Sequence, residues 1–170
     1  MRVDVVTIFP RMVEAGLAEG VVGRARAAGV LDIVVHNLRD FTTDRHRSTD
    51  DEAYGGGPGM VMLAEPVLRC VEFLRAEGTR VEGTRVEGTR VEGQGSRVEG
   101  PPPGSSLAPR PSTLDPRIDP RIIMTTPQGR RFTQDIAREF ARAQWLVFLC
   151  GRYEGFDERI FEAFPQIEQV

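Results

Sequence analysis

Lysine is missing from this 170-residue chain: all 22 basic residues are arginine, set against 25 acids for a net charge of −3. The absence reads as a coding bias at least as much as chemistry, and the slight acid excess excludes a uniformly basic nucleic-acid binder, leaving room only for a local basic stripe. Cysteine is scarce. Cys70 and Cys150 are too few and too far apart for a disulfide framework or a zinc site, and both sit in apolar runs where a buried free thiol is expected. Two histidines, His36 and His46, argue against a histidine-based metal centre, so no metal is expected. No G-x-G-x-x-G follows an apolar strand, and GGGPG lacks the Gly-Lys-Ser/Thr of a P-loop, which removes the dinucleotide and P-loop readings. No apolar run reaches the length of a membrane span. The opening MRVDVVTIFP carries an acid inside its apolar stretch and no small-residue cleavage site, so neither a signal peptide nor a membrane partner is expected, and the compartment expected is the cytoplasm.

What is present alternates. Val3–Ile8 is a β-branched run closed by Pro10, read as a buried first strand. Arg11–Ala28 carries two helical stretches, with Gly20 as the break and Gly29 as the stop. Leu31–Leu38 is a second strand, Arg39–Glu52 a charged loop, and Ala64–Ala76 a helix with Val67, Leu68, Val71 and Leu74 on one face. Arg121–Thr125 is a third strand, Gln134–Ala143 a helix, Trp145–Cys150 a fully apolar fourth strand, and Phe156–Phe164 a last helix. Continuous apolar strands alternating with helices predict an α/β fold, a mostly parallel sheet flanked by helices.

The stretch Glu77–Pro120 interrupts that order. EGTRV recurs with a period of five, degrades into QGSRVEG and runs into PPPGSSLAPRP. Period five fits neither helix nor strand, and a glycine in each unit carries an entropy that one valine cannot offset. The expectation is one domain over residues 1–170 interrupted by a disordered repeat insertion at 77–120; a tethered binding segment with spaced arginines is the alternative.

In an open parallel sheet ligands bind beyond the carboxyl ends of the strands. The loops there are Phe9–Met12, Asn37–Gly59, Thr126–Arg131 and Gly151–Gly155. Two of them, in TTPQGRRF and CGRYEGFDER, place glycine where strand turns into helix, so that backbone can approach a ligand closely. Asp157 and Glu158 fall in a first helical turn, where carboxylates are favoured anyway. Glu154, bracketed by Gly151 and Gly155, is positioned to hold a ligand ammonium. Arg39–Glu52 alternates in sign; it is either a solvated loop pairing its own charges, or a segment in which Arg45, His46 and Arg47 meet phosphate while Asp50 and Asp51 face a base or sugar.

DRHRSTDDEAYGGGPGM, TTPQGRRFTQ and CGRYEGFDER, in this order, together with VVTIFPRMVEAG and VVHNLRDFTTD, resemble the bacterial tRNA (guanine-N1)-methyltransferase family, TrmD. The resemblance covers nearly all the chain outside the repeat. It implies a SPOUT-type α/β fold with a trefoil knot that holds S-adenosyl-L-methionine, methyl transfer to N1 of the tRNA guanosine immediately 3′ of the anticodon, and a homodimer with sites built from both subunits. Carried over residue by residue, Thr126, Pro127 and Gly129 match the first cofactor loop, and Gly151, Tyr153 and Glu154 the second. Arg45, His46, Arg47, Asp50 and Asp51 fall on the segment that meets the guanosine and the anticodon loop. Gly55–Gly59 would serve geometry, letting the chain turn tightly between the substrate segment and a core helix. The family pattern continues into a third glycine-rich cofactor loop and a linker that carries an arginine and an aspartate base, beyond FPQIEQV. No catalytic residue is therefore assigned within these 170 residues, the knot is expected to be incomplete, and the chain alone is expected to be inactive; a non-catalytic remnant with at most weak RNA binding is the alternative.

Overall fold

A computed structural model describes residues 1–53, 59–78 and 118–170. Its centre is a five-stranded sheet in the order β2-β1-β6-β5-β7, every pairing parallel. The strands are β1 (Arg2–Thr7), β2 (Asp32–Asn37), β5 (Arg121–Thr125), β6 (Trp145–Cys150) and β7 (Glu168–Gln169). Between β2 and β5 lies a separate two-stranded hairpin of β3 (Asp50–Glu52) and β4 (Met60–Met62).

Because side chains alternate along a strand, the sheet feeds two cores. One face carries Val6, Ile122, Met124, Trp145, Val147 and Leu149, packed under the helix α3 (Ala64–Gly78) and the short α5 (Arg159–Ala163). The other carries Val5, Ile33 and Val35 beneath α1 (Pro10–Ala18) and α2 (Gly20–Ala27), and Ile123 and Leu146 beneath α4 (Gln134–Phe140). The expected layering, a parallel sheet covered on both faces, is what forms. Helix α1 starts on Pro10, whose fixed φ suits a first turn. It stops at Glu19, and Gly20 at φ +64° turns the chain into α2. Thr133 caps α4 through its hydroxyl, which accepts from the Ile136 N–H.

Several bounds differ from expectation. Asp50–Glu52, expected inside a loop, is a strand, because its partner Met60–Met62 offers a backbone edge that composition does not reveal. Helix α4 ends three residues before Ala143. The last helix spans Arg159–Ala163 rather than Phe156–Phe164: the Asp157 carboxylate accepts from the Arg159 N–H at 2.9 Å and so caps the helix from outside instead of lying in its first turn. Glu77 and Gly78, expected in the repeat insertion, complete α3. At the other end of that insertion Ile118 packs on the core and Pro120 is buried. The rest of the expected insertion, residues 79–117, lies outside the described residues.

Glu77 is held in α3 by the strand beneath it. Arg2 on β1 donates to Glu77 at 2.9 Å and to both oxygens of Asp4, at 2.7 and 3.1 Å. Asp4 has no solvent exposure, and also accepts from His36 Nε2 on β2 at 2.7 Å and from Trp145 Nε1 on β6 at 2.6 Å. The Arg2 guanidinium lies 4.7 Å from the Trp145 ring centroid. One carboxylate thus ties three neighbouring strands, and through Arg2 a helix, on the α3 face of the sheet.

Candidate functional site

Strands β5 and β6 are paired in register, Thr125 opposite Cys150, so the loops that follow them leave the sheet side by side. The first carries Thr126, Pro127 and Gly129. It is laced to β7: Thr126 N–H donates to the Val170 carbonyl at 2.8 Å, Arg130 N–H to the Gln169 carbonyl at 3.1 Å, and Val170 N–H to the Met124 carbonyl at 3.0 Å. Gly129 sits against this segment so closely that a Cβ there would lie 2.5 Å from the Val170 nitrogen. Arg130 also donates to Glu168 at 2.7 Å, Arg121 pairs with both Glu168 and Glu139, and the two guanidinium groups lie over the Phe140 ring. The Arg121 hydrogen bond is the main reason that the Glu168 carboxyl lies below its ordinary range.

The second loop carries Gly151, Tyr153 and Glu154, and it is fixed by the hairpin. Glu154 N–H donates to the Met60 carbonyl at 3.0 Å, Met62 N–H to the Gly155 carbonyl at 2.9 Å, and Asp157 N–H to the Met62 carbonyl at 3.0 Å, so residues 154–157 lie alongside β4 through an isolated parallel bridge, Met62 to Phe156. Gly59 makes this approach possible. It lies at φ +107°, and a Cβ there would meet Glu154 Cγ at 2.5 Å. Gly59 is the described member of the glycine run, and its positive φ and close approach to Glu154 are what glycine allows there; the tight turn expected of Gly55–Gly59 falls mostly on residues 54–58, which lie outside the described residues. Gly151 is packed in the same way, against the Phe156 ring. The Glu154 side chain is exposed, and no ion pair forms at it among the described residues. Asp157 is committed elsewhere: hydrogen bonds from Arg159 hold its carboxyl below the ordinary range.

The opposite edge of β4 pairs with β3, Asp51 facing Val61 and Asp50 facing Met62. At a strand spacing of about 4.8 Å, Asp50 and Asp51 lie roughly two strands, about 10 Å, from the backbone of residues 154–157. The Asp51 carboxylate is exposed and accepts from the Glu52 N–H at 2.8 Å; Asp50 accepts from the Thr49 hydroxyl at 3.2 Å. The basic trio upstream is split. Arg45 and His46 are exposed on a turn built by Asp44, whose carboxylate accepts from the His46 and Ser48 N–H groups. Arg47 folds back instead, pairing with Asp40 and donating to the Arg39 carbonyl at 3.1 Å. Its guanidinium is engaged, whereas the sequence offered it to phosphate on equal terms with its neighbours.

Among the described residues the two non-glycine residues with positive φ are Arg47 at +55°, in the segment before β3, and Tyr153 at +63°, in the loop after β6. A side chain held there stores about 1–3 kcal/mol, and such strain gathers at functional sites. The structure also brings in a residue that the sequence reading did not single out. Phe9, at the end of β1, lies beside Arg152 across the β1–β6 pairing. The signal was the loop Phe9–Met12 itself, placed correctly at a strand end, but it carries no strand-to-helix glycine of the kind that drew attention to the other loops.

The family model described as tRNA (Guanine-1)-methyltransferase TrmD matches residues 1–98 and 108–169. A tRNA (guanine-N(1)-)-methyltransferase of Geobacter sulfurreducens is 40% identical over 168 residues, covering 99% of this chain and 53% of that protein. One from Micrococcus luteus is 46% identical over 170 residues, covering 100% of this chain and 58% of its own length. Among solved structures, the tRNA (m1G37) methyltransferase of Aquifex aeolicus superposes with a TM-score of 0.69 at 23% identity, over all of this chain and 59% of that one. The chain therefore spans a little over half the length of these relatives.

Proposed function

Since the chain belongs to the tRNA (guanine-1)-methyltransferase TrmD family, we propose that it serves the methylation of guanine N1 in tRNA, at the guanosine immediately 3′ of the anticodon, with S-adenosyl-L-methionine as the methyl donor. The single observation that carries this reading is the position of β4. One edge of it holds the strand with Asp50 and Asp51, and the other holds the loop with Glu154, so a nucleoside-facing segment and a cation-facing carboxylate share one rigid wall. No helix among the described residues is long and apolar enough to cross a membrane, and a tRNA substrate makes the cytoplasm the compartment we propose.

The residues fit such a cofactor chemically. Glu154, exposed and without an ion pair among the described residues, offers a carboxylate to a ligand that carries an ammonium and a sulfonium. Gly129 and Gly151 let the two loops pack tightly on β7 and on Phe156, and Thr126, Pro127 and Tyr153 belong to the same pair of loops. When bound, the cofactor supplies a methyl group on a positively charged sulfur. The chain's own part is to hold and orient. Glu154 is aimed by the Gly59 contact, and Asp50 and Asp51 present acceptors to the N–H edge of a guanine, while Arg45 and His46 stand open to the phosphates of the anticodon loop. Guanine N1 carries a proton at neutral pH, so the transfer also needs a base within hydrogen-bond reach; none of the residues named here is assigned that role.

Calorimetric titration of S-adenosyl-L-methionine into the folded chain tests the reading. Binding is expected, and Glu154→Ala is expected to weaken it about tenfold to a hundredfold, the usual range for losing a hydrogen bond to a charged group. A folded chain that takes up no cofactor, or a Glu154→Ala variant that binds as well as the parent, would overturn the assignment.

We further propose a homodimer. In support, α1 and α2 bury no residue of their own, and Met12 and Val21 stand 69% and 73% exposed on them. Unpartnered apolar side chains on adjacent helices fit a face that a second copy covers. Sedimentation equilibrium is expected to return twice the 18.9 kDa chain mass, and a monomer at all concentrations would refute it.

A further inference from the structure

Strand β2 is the outer strand on its side of the sheet, and no strand among the described residues pairs with its other edge. Asp32 N–H donates inward, to the Met1 carbonyl at 3.0 Å. Backbone direction alternates along a strand, so Asp32, Val34 and His36 bond toward β1, while Ile33, Val35 and Asn37 turn their N–H and C=O groups outward. Among the described residues no backbone group meets those of Ile33 or Val35. An edge of this kind invites pairing with another chain unless lysine, proline, a bulge or a covering element protects it. DIVVHN has no lysine or proline, and it pairs with β1 without a bulge.

The start of that edge opens on a notch of about 360 Å³ between α1, α2 and β2, whose lining includes Leu17, Arg26, Leu31 and Ile33. Arg26 follows Val22 by one helical turn, and Val22 packs on the core beneath β2. Arg26 therefore sits on the strand side of α2, away from the outer face that carries Val21. Its half-buried guanidinium forms no ion pair among the described residues, and neither does that of Arg24. Basic residues in a last helical turn can do no more than complement open carbonyls. Here the carbonyls of Arg24, Ala25 and Arg26 already accept from the N–H groups of Ala28, Val30 and Gly29, each at 3.0 Å. An unpaired cation and an unpaired backbone edge thus meet at one notch.

We propose that β2 takes an extended acidic segment of a partner protein as a sixth strand, with its backbone on Ile33 and Val35 and an acidic side chain in the notch against Arg26. An added strand presents donors and acceptors in turn, as this edge requires, and its side chains stand off the sheet toward α2. An RNA phosphate offers acceptors alone and leaves the Ile33 and Val35 carbonyls unmet. The surface is independent of the cofactor and guanosine readings, since it begins at the amino end of β2, whereas the candidate loops leave the carboxyl ends of β5 and β6.

The probe is a fluorescein-labelled peptide as long as β2, six residues of alternating valine and glutamate blocked at both ends, read by fluorescence anisotropy at one salt concentration. Arg26→Gln is expected to weaken binding by about tenfold, as for a lost hydrogen bond to a charged group, and Arg26→Lys to recover part of it. The same peptide N-methylated at every residue keeps each side chain but cannot complete the ladder, and it is expected not to bind. In the parent protein, amide exchange at Ile33 and Val35 is expected to slow at saturating peptide, a readout that needs no variant to fold. No binding by the parent, equal binding by Arg26→Gln or by the N-methylated peptide, or unchanged exchange at both amides would each overturn the proposal. So would slow exchange at those amides without peptide at high protein concentration, since a second copy would then fill the edge. Arg26-dependent binding of a single-stranded RNA that displaces the peptide would also overturn it, because the notch would then serve phosphate.

Discussion

Asp4→Leu is expected to leave little folded protein at room temperature. The carboxylate has no solvent exposure and accepts from Arg2 Nε and Nη2, His36 Nε2 and Trp145 Nε1. Exchanging a whole buried ion pair for apolar groups can be neutral, but removing one member strands the others, and that costs about 3–5 kcal/mol. A domain has only about 5–15 kcal/mol of stability to lose. Asp4→Asn keeps the shape and one acceptor oxygen, so a smaller loss is expected. Urea midpoints at constant slope measure both, and a loss below about 1 kcal/mol for Asp4→Leu would mean that the strands are held by their apolar faces alone. The pH dependence follows. Burial alone would raise the Asp4 carboxyl, but the hydrogen bonds from His36 and Arg2, with the Arg2 charge, outweigh it and hold the group below its ordinary value. A carboxyl depressed on folding contributes stability that is present above its unfolded value of about 3.9 and is lost as the pH falls through its folded value. Wild type is therefore expected to lose stability more steeply than Asp4→Asn below about pH 4, and the comparison between the two cancels the other depressed carboxylates, the half-buried Asp157 and Glu168 among them.

Gly129→Ala is the second large effect. Gly129 has no positive φ, so the penalty is wholly one of contact: a Cβ would lie 2.5 Å from Val170 N, 2.6 Å from Gln169 C and 2.8 Å from Val170 C. Those are backbone atoms of a strand, and they have no rotamer to escape into. Either the loop after β5 or β7 must shift, breaking hydrogen bonds among Thr126, Arg130, Val170 and Met124 that are worth about 1 kcal/mol each. A loss of about 2–3 kcal/mol is expected, with faster amide exchange at Thr126, Arg130 and Val170 and loss of cofactor binding. Gly59→Ala contrasts with it. Its Cβ meets the Glu154 side chain, which can swing aside, so beyond the backbone strain the damage falls on where that carboxylate points. Unchanged exchange at those three amides in Gly129→Ala would show that loop and strand are not clamped to each other.

The strands that were legible in the sequence are the ones that bury both faces. VVT and WLVFLC are continuous apolar runs because α3 covers one side and α1, α2 and α4 the other. The helices declared themselves through Pro10, Gly20 and the spacing of Val67, Val71 and Leu74. The hairpin did not, since Asp50–Glu52 is polar throughout and owes its extended form to β4, ten residues away along the chain. Nor did Glu168–Gln169, two residues that are a strand only because Ile123 and Met124 lie beside them. The candidate loops were found from glycine at strand ends, which is a local property. The contact between them through β4 was not, because nothing in CGRYEG indicates that its backbone will pair with MVM. Asp4 was visible as an acid in an apolar stretch, yet its meaning required His36 and Trp145, residues that are distant in sequence.

Strand β1 also sets an order of events. One of its edges pairs with residues 32–37, but the other waits for residues 145–150. At a synthesis rate of roughly 5–20 residues per second, the interval between those partners lasts on the order of ten seconds. During it the nascent chain carries an open strand edge, the kind of surface that invites pairing with another chain, and charge on such a strand opposes that pairing. Arg2 and Asp4 are both on β1. Before the sheet closes over them, they are two charges on an unfinished edge.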